Sequence, residues 1–210
     1  MARAGAVVAD VLALIGERAQ PGVTTEELDT LADEFIRAQG GQPTFKGYRG
    51  YPASICASAN DLVVHGIPGP HALADGDVLS VDVGVTLEGF VADSAYTFPI
   101  GEISPEAERL LEACQAALAA GIAQCRAGNR LSDISHAIQA VTEENGFSVV
   151  RSLVGHGVGR SMHEEPQIPN YGEPGRGRAG RSSGSAGPRA SSGRRRARQG
   201  CGRRRSRPPP

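Results

Sequence analysis

The sequence predicts an α/β (α+β) protein made of two similar halves, each built from two helices, a strand and a hairpin. Three observations predict this class: amphipathic helices with recognisable caps, one long stretch in which polar and apolar residues alternate, and a weak internal repeat at an offset of 106 residues. Together they favour two copies of one unit, with polar groups of both copies available to a site between them.

Charge divides the chain sharply. Residues 1–173 contain 10 basic and 23 acidic residues, whereas residues 174–210 contain 12 arginines and no acid. The second segment lacks Val, Ile, Leu, Met, Phe, Tyr and Trp, so burial cannot offset the entropy of ordering it. We expect a catalytic or binding domain over 1–173 and a disordered Arg/Gly/Ser/Pro-rich tail over 174–210.

The four cysteines show neither CxxC spacing nor the density of a disulfide scaffold, which favours a reducing compartment. No signal peptide and no apolar run of about 18 residues is evident. A cytoplasmic location with no membrane partner is the expectation.

The helices follow from periodicity and caps. Apolar residues recur at helical spacing from Val7 to Ile15, and Pro21-Gly22 ends that helix. Thr24 and Glu27 form a capping-box pattern that opens a second helix. Ser104-Pro105 opens a third helix, with Ile122 and Cys125 counted on its apolar side, and a fourth runs from about Ser132 to Glu144.

Two apolar runs predict strands. Residues 54–64 split at Asn60-Asp61 into two short strands, and Phe147 to Val154 forms another. The repeat places the second helix over the fourth. The first copy contains the hairpin with Asp82 and Asp93. The repeat predicts the matching hairpin of the second copy near residues 188–199, where the sequence is PRASSGRRRARQ.

Residues 79–98 predict a β-hairpin with two aspartates. Residues 80–87 alternate strictly, and Glu88-Gly89 supplies a turn. With a two-residue loop, Gly84 faces Asp93 and Asp82 faces Ala95, so both carboxylates share one face. They are diagonal neighbours whose Cβ atoms are roughly 7–8 Å or somewhat less apart. A four-residue loop keeps this register, whereas a three-residue loop separates the aspartates. This spacing suits two carboxylates that bind a pair of metal ions about 3.5–4 Å apart. The alternative is a surface hairpin with two solvated aspartates.

A second polar cluster follows the last strand. Glycines flank His156, and His163 lies in the segment MHEEP shortly after it. Glycines allow close approach, and imidazole is a natural third ligand beside carboxylates. We interpret His71 and His136, which lack such neighbours, as structural.

Four segments of the chain, quoted from the sequence, are YRGYPASIC, NDLVVHGIP, the hairpin SVDVG through Asp93, and GHGVGRSMHEEP. In this order and spacing the chain resembles type I methionine aminopeptidases. The resemblance implies the pseudosymmetric pita-bread fold and a metal-dependent enzyme that removes the initiator methionine from nascent polypeptides. It also implies a cytoplasmic monomer whose partners are nascent chains beginning with Met, with the ribosome as a candidate further partner.

The resemblance also implies roles for individual residues. Asp82, Asp93 and His156 match ligands of two divalent metal ions (Co, Mn, Fe or Zn), with Asp93 bridging both. His65 and His163 match residues that contact the substrate backbone and stabilise the tetrahedral intermediate. The family lines its methionine pocket at the positions of Tyr48, Tyr51, Cys56 and Met162.

One departure from the family pattern is expected to matter. The pattern places two glutamate ligands on later strands, but this chain has no acid after Glu173. Glu164, Glu165 and Glu173 do not stand in such strands. The resemblance ends near Tyr171-Gly172, and the Arg/Gly/Ser/Pro composition beyond it is typical of out-of-frame translation of GC-rich coding sequence. We expect weak metal binding, impaired activity and a second half that is incomplete.

Two other functions stay open from the sequence. A non-catalytic peptide- or ribosome-binding module on the same fold would suit an incomplete metal centre. A basic-tailed nucleic-acid binder is the other, since 12 arginines could engage phosphates. The tail has no aromatic residue for base stacking, so nucleic acid is not the expected partner.

Overall fold

The computed structural model describes residues 1–180 and the backbone of Gly202–Arg203. Two compact units divide the chain, the first comprising residues 1–108 with 157–165 and the second residues 109–156 with the remainder. The predicted hairpin counterpart at residues 188–199 lies outside the described residues.

The first unit consists of two helices and an antiparallel sheet. Its elements are α1 (Ala2–Arg18), α2 (Thr25–Ala38), β1 (Gln42–Pro43), a 3-10 turn (Tyr48–Gly50), β2 (Ile55–Ala59), β3 (Val78–Leu87) and β4 (Phe90–Pro99). Strand β3 pairs antiparallel with β1, β2 and β4. It is therefore the central strand of the sheet.

Alternation along β3 gives the sheet two different faces. Val81, Val83 and Val85 are fully buried on the face that packs against α1 and α2. Residues such as Asp82 and Gly84 point to the opposite face, because successive side chains alternate. The helices thus cover one face and leave the other for the site.

The predicted capping box of α2 is confirmed. The Thr24 amide donates to a Glu27 carboxylate oxygen at 2.7 Å, and the Glu27 amide donates to Thr24 Oγ1 at 3.2 Å. These bonds satisfy donors that the first turn of a helix leaves open.

The second unit carries two further helices and short strands. Its elements are α3 (Pro105–Ala123, which begins in the first unit), α4 (Leu131–Glu144), β5 (Phe147–Ser148), β6 (Val154–Gly157, whose last residue belongs to the first unit), β7 (Glu164–Pro169, whose first two residues belong to the first unit) and β8 (Gly202–Arg203). Strand β5 pairs with β8, and β6 pairs with β7. The core of this unit is smaller and includes Ala117, Ile134, Ile138 and Ile168.

Three local predictions are wrong. Residues 62–64 form no strand, because Asn60 turns the chain with a positive φ of 51° and bonds through its side chain to Asp77 and to the Val78 amide. Phe147 to Val154 is interrupted by a turn at Arg151, whose guanidinium lies over the Tyr171 ring. Helix α3 ends at Ala123, so Cys125 lies beyond it.

The internal repeat is reproduced in the helices and their hydrogen bonds. Helices α2 and α4 have the same length, and their bounds differ by the expected 106 residues. In the first unit the Thr25 amide donates to the His71 carbonyl, and Gly22 N donates to Leu73 O. In the second unit Leu131 N donates to Arg178 O. In each unit, therefore, hydrogen bonds from a later segment of the same unit hold the start of the helix, α2 in the first unit and α4 in the second.

The first residues of the predicted disordered tail take part in this arrangement. Within the segment 176–180, the Gly180 amide donates to Asn129 O at 2.7 Å and the Arg176 amide donates to Ser132 Oγ at 2.7 Å. Hydrogen bonds to the start of α4 thus hold this segment, which has no side-chain packing of its own. Disorder of the tail as a whole stays a prediction. Among the described residues, no helix is both long and apolar enough to cross a bilayer.

Candidate metal centre and substrate pocket

The β3–β4 hairpin has the register that a two-residue loop predicts. Leu87 pairs with Phe90, Gly84 with Asp93, and Asp82 with Ala95. Glu88 and Gly89 form the turn with φ values of 51° and 74°, the left-handed pair that matches the twist of a hairpin. Both aspartates consequently lie on the sheet face away from α1 and α2.

The two aspartates are buried rather than solvated. Asp82 is 5% exposed and Asp93 is 7% exposed, and both carboxylate oxygens of Asp93 are shielded from solvent. Burying two like charges as diagonal neighbours is costly unless a cation or hydrogen bonds compensate. Carboxylate oxygens are ligands for divalent cations, so this donor pair fits the metal ions that the sequence implies.

The described residues do not form a complete set of metal ligands. Among residues 1–180, no group of three or more His, Cys, Asp and Glu side chains is close enough to hold a metal ion. His156 belongs to the second unit, where it is 6% exposed within β6. Its assignment as the third ligand stays a prediction.

An apolar cluster lies in the same unit as the aspartates. Its buried members are Phe45, Cys56, Val91 and Met162, and Tyr48 and Tyr51 pack against them. Cys56 pairs directly with Asp82 across β2 and β3, so it stands on the same face as the carboxylates. The four predicted pocket residues are therefore brought together.

Sequence reasoning missed Phe45 and Val91. Val91 pairs with Thr86 and follows from the hairpin register, since it lies two residues before Asp93 on the same face. Phe45 stands in an irregular loop, and its only sequence signal is the aromatic character of that loop.

Tyr51 fixes the backbone next to His65. Its hydroxyl lies 2.7 Å from the Gly66 carbonyl and 3.0 Å from the Ile55 carbonyl, and burial raises the pKa of this phenol above its usual range. A Cβ atom at Gly66 would come within 2.1 Å of the Ala57 carbonyl oxygen, so only glycine fits there. His65 itself is exposed and has a φ of 61°.

His163 is presented by a tight turn. The Glu164 carboxylate accepts hydrogen bonds from the Arg160 and Ser161 amides at 2.7 and 2.9 Å, and the Val91 amide donates to Gly159 O at 2.8 Å. The turn is thereby attached to β4. The Glu164 carboxylate, which was not predicted to be a metal ligand, closes this turn.

These features define a class of protein. The description "Metallopeptidase family M24" matches residues 1–184, and the chain belongs to this family. Relatives at about half sequence identity are methionine aminopeptidases. The chain is 51% identical over 177 residues to the methionine aminopeptidase of Clostridium perfringens, covering 84% of this chain and 71% of that protein. It is 49% identical over 177 residues to methionine aminopeptidase 1 of Bacillus subtilis, with the same coverage.

Solved structures agree with these relatives and with the pita-bread fold. The methionine aminopeptidase of Thermotoga maritima matches with a TM-score of 0.84 and 42% identity, covering 86% of this chain and 73% of that chain. The prolidase of Pyrococcus furiosus, at 18% identity, has a TM-score of 0.70 and shows the fold alone. The recognised family and fold class are thus confirmed.

Proposed function

We propose that this chain is a metal-dependent aminopeptidase that acts on the N-terminal methionine of nascent polypeptides. The observation that carries the proposal is the pair of buried aspartates, Asp82 and Asp93, on the sheet face that also bears Cys56. A buried carboxylate pair beside a small apolar cluster suits a metallopeptidase that selects an apolar side chain.

The metal centre of this proposal consists of two divalent ions held by Asp82, Asp93 and His156. Carboxylate and imidazole ligands are compatible with Co, Mn, Fe or Zn and do not select among them. When bound, the ions would polarise the scissile carbonyl and lower the pKa of a water molecule. The protein's part is to supply three donor side chains on defined elements.

The remaining site residues act on the substrate. His65 and His163 would contact the substrate backbone and donate hydrogen bonds to the oxygen that becomes negative in the tetrahedral intermediate. Tyr48, Tyr51, Cys56 and Met162 would line the pocket for the methionine side chain. A thioether and aromatic wall suits such a ligand because sulfur makes favourable contacts with aromatic edges.

We also propose that activity is impaired in this chain. Residues 174–210 contain no acid, so they cannot supply the two glutamates that the family pattern expects after His156. A change of reading frame near residues 172–181 accounts for this composition. Resequencing the gene there tests the explanation. A one-base correction that restores a strand containing Glu would support it, and an independent read that reproduces the present sequence would contradict it.

Cellular context forms a further part of the proposal. We place the chain in the cytoplasm as a monomer that meets nascent chains, with the ribosome as a candidate docking partner. Sedimentation of the purified chain tests its oligomeric state, and a dimer would contradict this part.

The experiment for the enzyme uses the purified 210-residue chain. Metal content and Mn²⁺ titration calorimetry are compared with hydrolysis of a methionyl tripeptide, for the parent, Asp82→Asn and the exposed control Asp10→Asn. We expect weak Mn²⁺ binding and slow hydrolysis that Asp82→Asn abolishes and Asp10→Asn preserves. Two tightly held metals with rapid turnover would contradict impairment. Peptide binding without hydrolysis in any metal would favour the non-catalytic binding module.

A further inference from the structure

The side chains of Tyr48 and His163 form a hydrogen-bonded stack. Tyr48 Oη lies 3.0 Å from His163 Nδ1, and the two rings are stacked with centroids 5.7 Å apart and an interplanar angle of 18°. We propose that Tyr48 is a positioning residue that holds neutral His163 in the tautomer with its proton on Nε2. The catalytic consequence rests on the proposed function, whereas the tautomer itself does not.

The hydrogen bond has two possible directions with opposite consequences. A neutral imidazole has one N–H donor and one acceptor nitrogen. If the Tyr48 hydroxyl donates to Nδ1, Nε2 carries the proton and can donate to another oxygen. If Nδ1–H donates to Tyr48, Nε2 becomes an acceptor and cannot stabilise a developing negative oxygen.

Chemistry favours donation by the phenol. A phenol is an effective donor to an unprotonated imidazole nitrogen, and free neutral histidine already prefers the Nε2-protonated form. The stacking fixes the plane of the His163 ring, so the Nε2–H direction is set together with the tautomer. Tyr48 thus acts on both properties that a hydrogen-bond donor to the substrate requires, the tautomer and the ring orientation.

The backbone holds both partners in place. On the tyrosine side, Tyr48 N donates to Phe45 O at 2.9 Å and Gly47 N donates to Tyr51 O at 2.7 Å, which closes a tight loop. Gly47 has a φ of 83°, a conformation that this loop requires and that glycine adopts at little cost.

On the histidine side, the neighbouring Met162 is buried in the apolar cluster that Phe45 also joins. The carboxylate of Glu164 closes the turn that carries His163. Both rings are therefore attached to one packed cluster within the first unit, which makes the contact a defined feature of the fold.

The test is nitrogen-15 NMR on the full, metal-free chain. Long-range proton–nitrogen spectra are recorded at about pH 8.5, roughly two units above the ordinary pKa of histidine. The ring signals of His163 are assigned as those that are absent from the spectrum of His163→Gln. We expect a protonated-type shift for Nε2 and an unprotonated-type shift for Nδ1. The reverse pattern in the parent overturns the proposal, whatever its variants do.

Tyr48→Phe tests the cause. Removing the hydroxyl is expected to shift both His163 nitrogens toward the average of mixed tautomers, while the control Tyr171→Phe, whose ring lies under Arg151, leaves them unchanged. An unaltered His163 pattern in folded Tyr48→Phe would overturn the role of Tyr48.

Activity gives a separate outcome. If the parent hydrolyses a methionyl tripeptide, Tyr48→Phe lowers kcat about five- to tenfold, as expected for the loss of one hydrogen bond. An unchanged kcat contradicts the catalytic consequence. If the parent is inactive with every metal, the proposed function fails while the tautomer result stands by itself.

Discussion

The ring of Phe45 occupies the space that a side chain at Gly84 would fill. A Cβ atom at Gly84 would lie 2.6 Å from Phe45 Cε1, closer than side chains approach in native proteins. Gly84 pairs with Asp93, so Phe45 covers the sheet on the face that bears the candidate ligands. A residue without a side chain is what allows the apolar cluster to reach the aspartate face.

Replacing Gly84 by alanine is therefore expected to destabilise the protein. The methyl group would displace Phe45, and overpacking of this kind costs about 1–3 kcal/mol. Gly5→Ala is the matched control, since a Cβ atom there meets nothing within 4 Å in α1 and alanine favours a helix by up to about 1 kcal/mol. Urea unfolding of both variants measures the difference. Equal stability of Gly84→Ala and the parent would contradict the contact.

The burial of both aspartates predicts a stability that depends on metal. Without divalent ions, Asp93→Asn removes one of two buried like charges and should raise the free energy of unfolding by about 1 kcal/mol, or Tm by roughly 2–4 °C. With Mn²⁺ at about 100 times its Kd, the parent gains about 2.7 kcal/mol and the variant gains much less.

Thermal unfolding with and without Mn²⁺ should therefore reverse the order of parent and variant. Asp10→Asn, an exposed substitution in α1, should follow the parent in both conditions. A metal-independent loss of stability in Asp93→Asn would show that hydrogen bonds, rather than a cation, compensate this carboxylate.

The parts of the fold that the sequence predicts are those with local causes. The α2 capping box depends on Thr24 and Glu27, three residues apart, and the hairpin register depends on alternation and the two-residue turn at Glu88. Both signals are complete within about 20 residues. For this reason the shared face of the two aspartates was predictable before any tertiary structure was known.

The predictions that are wrong depended on contacts from elsewhere in the chain. Leu62 and Val63 have the composition of a strand, yet they are about half exposed because Asn60 redirects the backbone toward Asp77. Cys125 has the spacing of a helix residue, yet α3 ends at Ala123. The composition of a segment does not reveal hydrogen-bond partners that lie far away in the sequence.

Glu164 is expected to hold the turn that presents His163. Its carboxylate accepts two backbone amides, from Arg160 and Ser161, and charge-assisted bonds of this kind are stronger than neutral ones. Glu164→Gln should speed hydrogen exchange at these amides and cost about 1 kcal/mol of stability. The adjacent exposed Glu165→Gln is the control and should change neither. If both variants exchange alike, the carboxylate does not close the turn.

Asp33 predicts a specific dependence of stability on pH. Its carboxylate accepts hydrogen bonds from Arg37, from Lys46 Nζ at 3.1 Å and from Ser54 Oγ at 2.6 Å. The hydrogen bond from Arg37 is the main cause that holds the pKa of Asp33 well below its usual range. Because the folded-state pKa is depressed, the contribution is fully present above the unfolded-state pKa and is lost as pH falls through the folded-state pKa.

Asp33→Asn should accordingly lower the free energy of unfolding by about 1 kcal/mol at neutral pH, a modest value because solvent screens these partly exposed groups. In urea titrations, the gap between parent and variant should stay constant from pH 7 to about 5 and narrow below about pH 4. Glu34→Gln, an exposed change on the same helix, should show no gap at any pH. A gap that widens on acidification would contradict the assignment, since it would require a carboxyl group that the fold prefers protonated.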